Sequence, residues 1–180
     1  MINRTITVGP GVINLRITEH VNAEGYHYAP DPSSQKACTI GGNVAENSGG
    51  PHTLKYGVTV NHVLGLEMVL ADGELVTLGA NHFGLPGPDL LGLVTGSEGT
   101  FGIITKIICR LTANPEKAVT LLGIYKSVRD ACESVSSIIG HGIIPAAMEM
   151  LDKIMISAVE KALKPGFPLD AEAVLIVELD

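Results

Sequence analysis

A chain of 180 residues suits one domain or one and a half, and a hydrophobic content of 46% provides for a substantial core. With 21 glycines, no tryptophan and only 4% aromatic residues, it has the aliphatic, glycine-punctuated balance of a compact α/β protein. Its formal net charge of −7 argues against a nucleic-acid partner and against a polybasic membrane surface.

In chain order, Arg4 to Val8 alternates β-formers and ends in the turn Gly9-Pro10-Gly11. Val12 to Ala23 carries Val12, Leu15, Ile17 and Val21 at helical spacing, and Gly25 stops it. Tyr26 to Ala29 then runs into Pro30-Asp31-Pro32, where two prolines exclude regular structure. Residues 29–57 read APDPSSQKACTIGGNVAENSGGPHTLKYG, a run of small, glycine-rich and hydroxyl- or amide-bearing residues expected to form loop. VLGLEMVLA and ELVTLG flank Asp72-Gly73, the signature of a hairpin with a two-residue turn. Asn81 to Pro88 reads as a loop, Leu90 to Val94 as a short helix, and Gly102 to Leu111 as a long strand entered from a glycine-rich turn.

Asn114-Pro115 marks a boundary. Beyond it Ala118 to Tyr125 reads as a strand, and Ser127 caps a helix with Val128, Ala131, Cys132, Val135, Ile138 and Ile139 as its apolar stripe. Pro145 to Leu151 is a second strand. Asp152 caps a further helix with Ile154, Met155, Ala158, Val159 and Ala162 inward; Pro165-Gly166 ends it, and Ala173 to Leu179 is a last strand. The tail is thus β-α-β-α-β, read as a mixed sheet with helices on one side. Both ends are abrupt, as expected of a piece cut from a longer protein.

Several chemistries fail on spacing. Cys38, Cys109 and Cys132 form no C-x-x-C and no disulfide framework; free thiols in a reducing cytoplasm are the expectation. No apolar run is long enough for a bilayer span, and no secretory leader is expected. Histidines 20, 27, 52, 62, 82 and 141 lack any metal-binding spacing, so no metal site is expected; His52 is expected to hydrogen-bond within its loop. Gly9-Pro10-Gly11 follows a strand, but position 14 is Asn, so the dinucleotide fingerprint G-x-G-x-x-G is not met. Ser97 lacks the G-x-S-x-G context of a nucleophile elbow, because Thr95 stands two residues before it. What remains is a pair of glycine-rich places, residues 39–50 and 96–105. They supply N–H, hydroxyl and amide donors either to a pyrophosphate or flavin edge, or simply to a structural corner. Glu98, a charge between glycines, is read as orienting backbone rather than as a catalytic acid.

The runs APDPSSQ, ACTIGGNVAENSGG, LKYG, PGPDLLGLVTGSEGTFGIIT and GIIPAAMEMLD follow in this order between Ala29 and Asp152, and the resemblance they carry extends over essentially the whole chain. Through them it resembles the vanillyl-alcohol-oxidase-type FAD-linked 2-hydroxy-acid dehydrogenases, the family of bacterial glycolate oxidase D subunits and D-lactate and D-2-hydroxyglutarate dehydrogenases. The resemblance implies an α+β fold. Residues 1–113 correspond to the second subdomain of a two-subdomain FAD-binding fold, and residues 114–180 to the first part of a ferredoxin-like mixed α/β cap domain. It implies FAD as cofactor and a small 2-hydroxy acid, glycolate or D-lactate, as substrate, with hydride passing to the flavin. The positions that match the family's flavin contacts are Pro30, Asp31, Ser33, Ser34, Cys38, Thr39, Ile40, Gly41, Gly42, Asn43, Asn47, Ser48, Gly49, Gly50, Tyr56, Gly57, Glu98, Gly99, Thr100, Phe101, Gly102, Ile103 and Ile104. The chain departs from the pattern at Pro88, where the family carries an aromatic residue before Asp-Leu. The resemblance also implies an iron–sulfur subunit and a second flavin-domain subunit as partners, in the cytoplasm or at the inner membrane through those subunits. A first FAD subdomain upstream and a histidine-rich segment downstream, carrying the catalytic base and metal ligands, are expected outside these residues. By themselves the 180 residues are therefore expected to lack turnover and to bind FAD weakly or not at all. The alternative is a degenerate flavin fold kept as a non-enzymatic interaction module; the intact TIGGN and SEGT runs disfavour it.

Overall fold

A computed structural model describes residues 3–79 and 87–180. The loop read at 81–88 lies outside the described residues except for Gly87 and Pro88. The chain divides into two compact units, Met1–Asn114 and Pro115–Asp180.

The first unit is built on a four-stranded antiparallel sheet. Its strands are β1 (Thr5–Val8), β3 (Val63–Val69), β4 (Leu75–Gly79) and β5 (Ile103–Arg110), in the order β1-β5-β3-β4. A two-residue ribbon pairs β2 (Tyr26–His27) with β6 (Thr112–Ala113). Helices α1 (Asn14–Val21) and α2 (Ile40–Glu46) supply Ile17, Val21, Ile40 and Val44 to a core shared with Val63, Leu66, Met68, Ile107, Cys109 and Leu111. The inward parity of β3 changes between Val63 and Leu66 because the register shifts between Val63 and Gly65. A bulge inserts one residue and turns the following side chains to the other face.

Two local expectations change here. The hairpin does not turn on two residues. Leu70 N–H donates to the Glu74 carbonyl and Gly73 N–H to the Leu70 carbonyl, leaving Ala71, Asp72 and Gly73 as a three-residue loop with Gly73 at φ 89°. That left-handed residue closes the loop, so Asp-Gly serves a bulged turn rather than a primed two-residue one. The glycine-rich run is also more regular than its composition suggests. Thr39 accepts the Gly42 N–H and caps α2, and a second short helix, α3 (Thr53–Tyr56), follows. A good cap and the buried pair Ile40 and Val44, four residues apart, outweigh the helix cost of two glycines.

In the second unit β7 (Val119–Tyr125), β8 (Ala147–Asp152) and β9 (Ala173–Leu179) form a sheet of order β7-β9-β8. Both pairings are antiparallel, so the sheet is not mixed. The strand that comes last in sequence inserts between the other two, which run parallel but never pair. Helix α5 (Val128–Gly140) is capped by Ser127 and α6 (Lys153–Ala162) by Asp152, as the sequence indicated. The stripe read for α6 faces the wrong way. Ile156 is buried against Leu151, Phe167, Ala171 and Val174, whereas Ile154 and Met155 are 78% and 52% exposed. The helix starts directly where β8 stops, and the strand end sets its rotation. The broader apolar stripe loses to the single isoleucine that fits the sheet.

Candidate functional site

The site is assembled from side chains that bind backbone. Asn14, on the inward face of α1, is 1% exposed and donates its amide to the Pro30 carbonyl at 3.0 Å. Its carbonyl oxygen accepts from the Asn43 amide of α2 at 2.8 Å. One buried asparagine thereby ties the Pro30–Pro32 segment to the helix made by TIGGNVAE. The backbone at 14, 40 and 41 completes the seam. Asn14 N–H donates to the Cys38 carbonyl, Ile40 N–H to Val12 and Gly41 N–H to Pro10. Such a buried network fixes one geometry only when each member is paired.

The far end of the run folds back onto the same place. His52 Nδ1 lies 2.6 Å from Asp31 Oδ2, with both side chains mostly buried. Gly50 packs directly on Asp31: a Cβ there would meet the carboxylate oxygen Oδ1 and lie 2.5 Å from the Asp31 carbonyl oxygen. Asp31 Oδ1 is buried without a hydrogen-bond partner among the described residues. Thr59 reaches the Ser48 carbonyl through both N–H and hydroxyl, at 3.0 and 2.7 Å, and Val60 N–H donates to Asn47 Oδ1. The Tyr56 ring meets the His27 and His52 rings at centroid distances of 6.0 and 6.4 Å.

The second glycine-rich place joins the first. After the short helix α4 (Leu90–Val94), Gly96 N–H donates to Val44 O at 2.8 Å and Glu98 N–H to Ala45 O at 2.9 Å. Glu98 sits at φ 54°, a left-handed conformation uncommon for a side-chain-bearing residue outside turns. Its carboxylate is exposed, so what holds the turn to the end of α2 is its backbone.

The residues matched to flavin contacts therefore lie in three segments, 30–34, 38–57 and 98–104, which the hydrogen bonds bring together. Their side chains divide by task. Ile40 and Asn43 are buried, Thr39 caps α2, Asn47 holds Val60, and Ile104 packs on the core. Ser33, Ser34, Gly42, Glu98, Gly99 and Ile103 are exposed, and Asp31, Cys38, Gly41, Gly49, Gly50, Tyr56, Gly57 and Gly102 are half-buried. At Gly42 an added Cβ would meet only Thr39 Oγ1, at 3.4 Å. The free-facing hydroxyls of Ser33 and Ser34 suit a ligand rich in hydrogen-bond acceptors, as FAD is, and Gly42, whose N–H is taken by Thr39, allows close approach without donating.

Sequence reasoning missed Asn14, Thr59 and His62. Asn14 had a signal: it shares a helical face with Ile17 and Val21, where an apolar residue belongs. His62 is 5% exposed and its Nε2 lies 2.7 Å from the Tyr56 carbonyl oxygen. Burial lowers its pKa, and Arg110 and His27 add to that, against the hydrogen bond to Tyr56. Burial likewise raises the Tyr28 phenol well above its usual value and pushes the Cys109 thiol up to about 12. All three cysteines are free. Among the described residues no group of three or more His, Cys, Asp or Glu could hold a metal, and no helix is long and apolar enough to cross a membrane.

Residues 2–79 match the FAD binding domain family, and residues 114–180 match the C-terminal domain of FAD linked oxidases. Over 179 residues the chain is 49% identical to glycolate oxidase subunit GlcD of Escherichia coli K12, covering 99% of this chain and 36% of that one. Against the Bacillus subtilis glycolate oxidase subunit GlcD the identity is 48%, covering 99% and 38%. A D-lactate dehydrogenase of Anaerostipes hadrus is 35% identical, covering 94% and 36%. The chain thus spans little more than a third of the length of these curated relatives. Among solved structures, alkyldihydroxyacetonephosphate synthase superimposes with a TM-score of 0.81 at 22% identity, over 98% of this chain and 35% of that one, a likeness of fold.

Proposed function

We propose that this chain, with its matches to the FAD binding domain and to the C-terminal domain of FAD linked oxidases, forms one wall of an FAD cleft in an enzyme that oxidises a small 2-hydroxy acid, glycolate or D-lactate. The observation that carries the reading is the convergence of segments 30–34, 38–57 and 98–104, through Asn14, Asp31–His52 and the Gly96 and Glu98 amides, into one hydrogen-bonded assembly.

In this reading FAD, when bound, supplies the hydride acceptor for the substrate's α-carbon. The chain's own residues bind and orient. Ser33 and Ser34 offer hydroxyls, Gly42 and Gly99 offer backbone that a ligand can approach closely, and Tyr56 and Ile103 offer apolar surface to a flat ring. Ile40, Asn43, Asn47 and Thr39 act behind that surface by holding α2 in place. No residue of this chain is assigned as the base that takes the hydroxyl proton. Residues 1–113 serve as the second FAD subdomain and residues 114–180 as the first part of the cap domain. The relatives named as glycolate oxidase subunits support a place in a multi-subunit enzyme, with electrons passing to an iron–sulfur subunit and a second flavin-domain subunit.

The test is anaerobic. The protein carrying these residues at its full native length is purified, its visible spectrum recorded, and glycolate or D-lactate added. Flavin absorbance that bleaches with one of the two acids is the expected result. No flavin, or a flavin reduced by neither acid, overturns the reading.

A further inference from the structure

We propose that His62 is a positioning residue: its neutral imidazole, protonated on Nε2, holds the carbonyl of Tyr56 and so fixes the end of α3 that faces the flavin. The proposal rests on the cofactor reading above for the word flavin, and on geometry for the rest.

The last carbonyls of a helix have no intrahelical N–H partner and must find one elsewhere. In α3 the Thr53 carbonyl takes the Gly57 N–H at 2.8 Å, while the chain reverses at Gly57, at φ 83°. The Tyr56 carbonyl receives His62 Nε2 at 2.7 Å. A carbonyl oxygen only accepts, so Nε2 must carry the proton. Nδ1 is buried and has no hydrogen-bond partner among the described residues. A proton on Nδ1 would have no acceptor there, and a second charge would stand near Arg110 and His27. The ring is therefore held in one tautomer, the one that donates to Tyr56.

The backbone of His62 is as fixed as its ring. Its N–H donates to the Thr59 carbonyl, and its carbonyl accepts the Arg110 N–H of β5 at 2.7 Å. His62 thus connects the central sheet to the last residue of α3. Tyr56 N–H is in turn bonded to the His52 carbonyl, and His52 to Asp31. A shift of the Tyr56 peptide would be felt along the wall as far as Asp31. Nothing about this position was readable in the sequence, where His62 stands as a polar residue just before a strand.

The test uses the 180-residue chain with His62→Gln and His62→Leu. A glutamine amide can place an N–H where Nε2 stands; leucine cannot. The first readout is the imidazole nitrogen NMR of the wild-type chain. The proposal expects a neutral Nε2–H ring near pH 7, and an Nδ1–H tautomer or a charged ring overturns it. The second is FAD titrated to millimolar concentration and followed by the Tyr56 and Gly57 amide signals. Wild-type-like affinity within about threefold for His62→Gln, with a loss of about tenfold for His62→Leu, is the expected pattern. Equal affinity of His62→Leu and wild type overturns the proposal. If the wild-type chain shows no FAD response, as is expected where these 180 residues hold the cofactor too weakly, the cofactor reading is decided by the full-length spectrum above. The positioning role is then judged by whether the Tyr56 and Gly57 signals move in His62→Leu and return in His62→Gln. If His62→Leu does not fold, the tautomer and the His62→Gln spectrum decide.

Discussion

Gly50→Ala is the sharpest test of how the wall is built. Gly50 is not at a positive φ, so alanine meets no backbone strain there; the obstacle is contact. The new Cβ would press on Asp31 Oδ1 and lie 2.5 Å from the Asp31 carbonyl oxygen and 2.6 Å from its carbonyl carbon, under the 3.0 Å at which something must shift. Two of these atoms are backbone, so no side-chain rotation relieves them. Over-packing of this kind costs about 1–3 kcal/mol. The smaller unfolded-state entropy of alanine returns about 0.4–1 kcal/mol, leaving a net loss of roughly 1–2 kcal/mol. For a unit the size of Met1–Asn114, that is a melting midpoint lowered by roughly 3–10 °C. Gly42→Ala is the matched control. It lies inside α2, its Cβ would meet Thr39 Oγ1 at 3.4 Å, and replacing a helical glycine gains about 0.5–1 kcal/mol. Thermal melts of both variants by circular dichroism give the comparison. A Gly50→Ala midpoint within about 1 °C of wild type, or a Gly42→Ala variant that loses as much as Gly50→Ala, would refute the packing account.

Other consequences are simpler. Thr39→Ala removes the α2 cap and should cost about 1 kcal/mol, with Thr39→Ser restoring most of it; urea melts read both. His62 has a folded-state pKa below its ordinary 6.5, so the unfolded chain takes up its proton first as the pH falls. Its contribution is complete above about pH 6.5 and is lost on acidification towards the folded pKa. The midpoint should therefore fall between pH 7.5 and 5.5 less steeply in His62→Gln than in wild type, and parallel slopes would contradict this. Cys132 is exposed, while Cys109 is buried with its thiol pushed up to about 12. A colorimetric thiol reagent at pH 8 should modify Cys132 quickly and Cys109 only after denaturant; equal rates in the Cys132→Ser and Cys109→Ser variants would count against the burial.

Most elements were legible because their signals are local. The caps Ser127 and Asp152, the stop at Gly25 and the strand alternation around Ile107 and Cys109 each depend on a few adjacent residues. What was not legible depended on distant partners. The α6 stripe was misread because a helix with apolar residues on two sides does not announce which side the sheet will take. The order β7-β9-β8 is invisible because β8 and β7 are both neighbours of a strand that comes later in the chain. At the site, composition located the run from Pro30 to Gly57 but not the residues that hold it, since Asn14 and His62 lie outside it.

Glycine content alone therefore overstates how much of the wall is open to a ligand. Gly41 is small because Pro10 lies against it, with a would-be Cβ 2.6 Å from the proline Cβ. Gly49 is small because of Thr53 and Val58, and Gly50 because of Asp31. Gly41 lets α2 rest on Pro10, Gly49 lets residues 49–58 close on themselves, and Gly50 lets that segment rest on the backbone of Asp31. At Gly42, among the described residues outside its own helical turn, only the cap Thr39 lies within 4 Å of a would-be Cβ, and at Gly99, φ 73°, the space beside the backbone is open. Gly99 is explained by its left-handed backbone, so Gly42 is the position in these segments where neither packing nor backbone conformation calls for glycine, and on the proposed reading it is where a cofactor approaches.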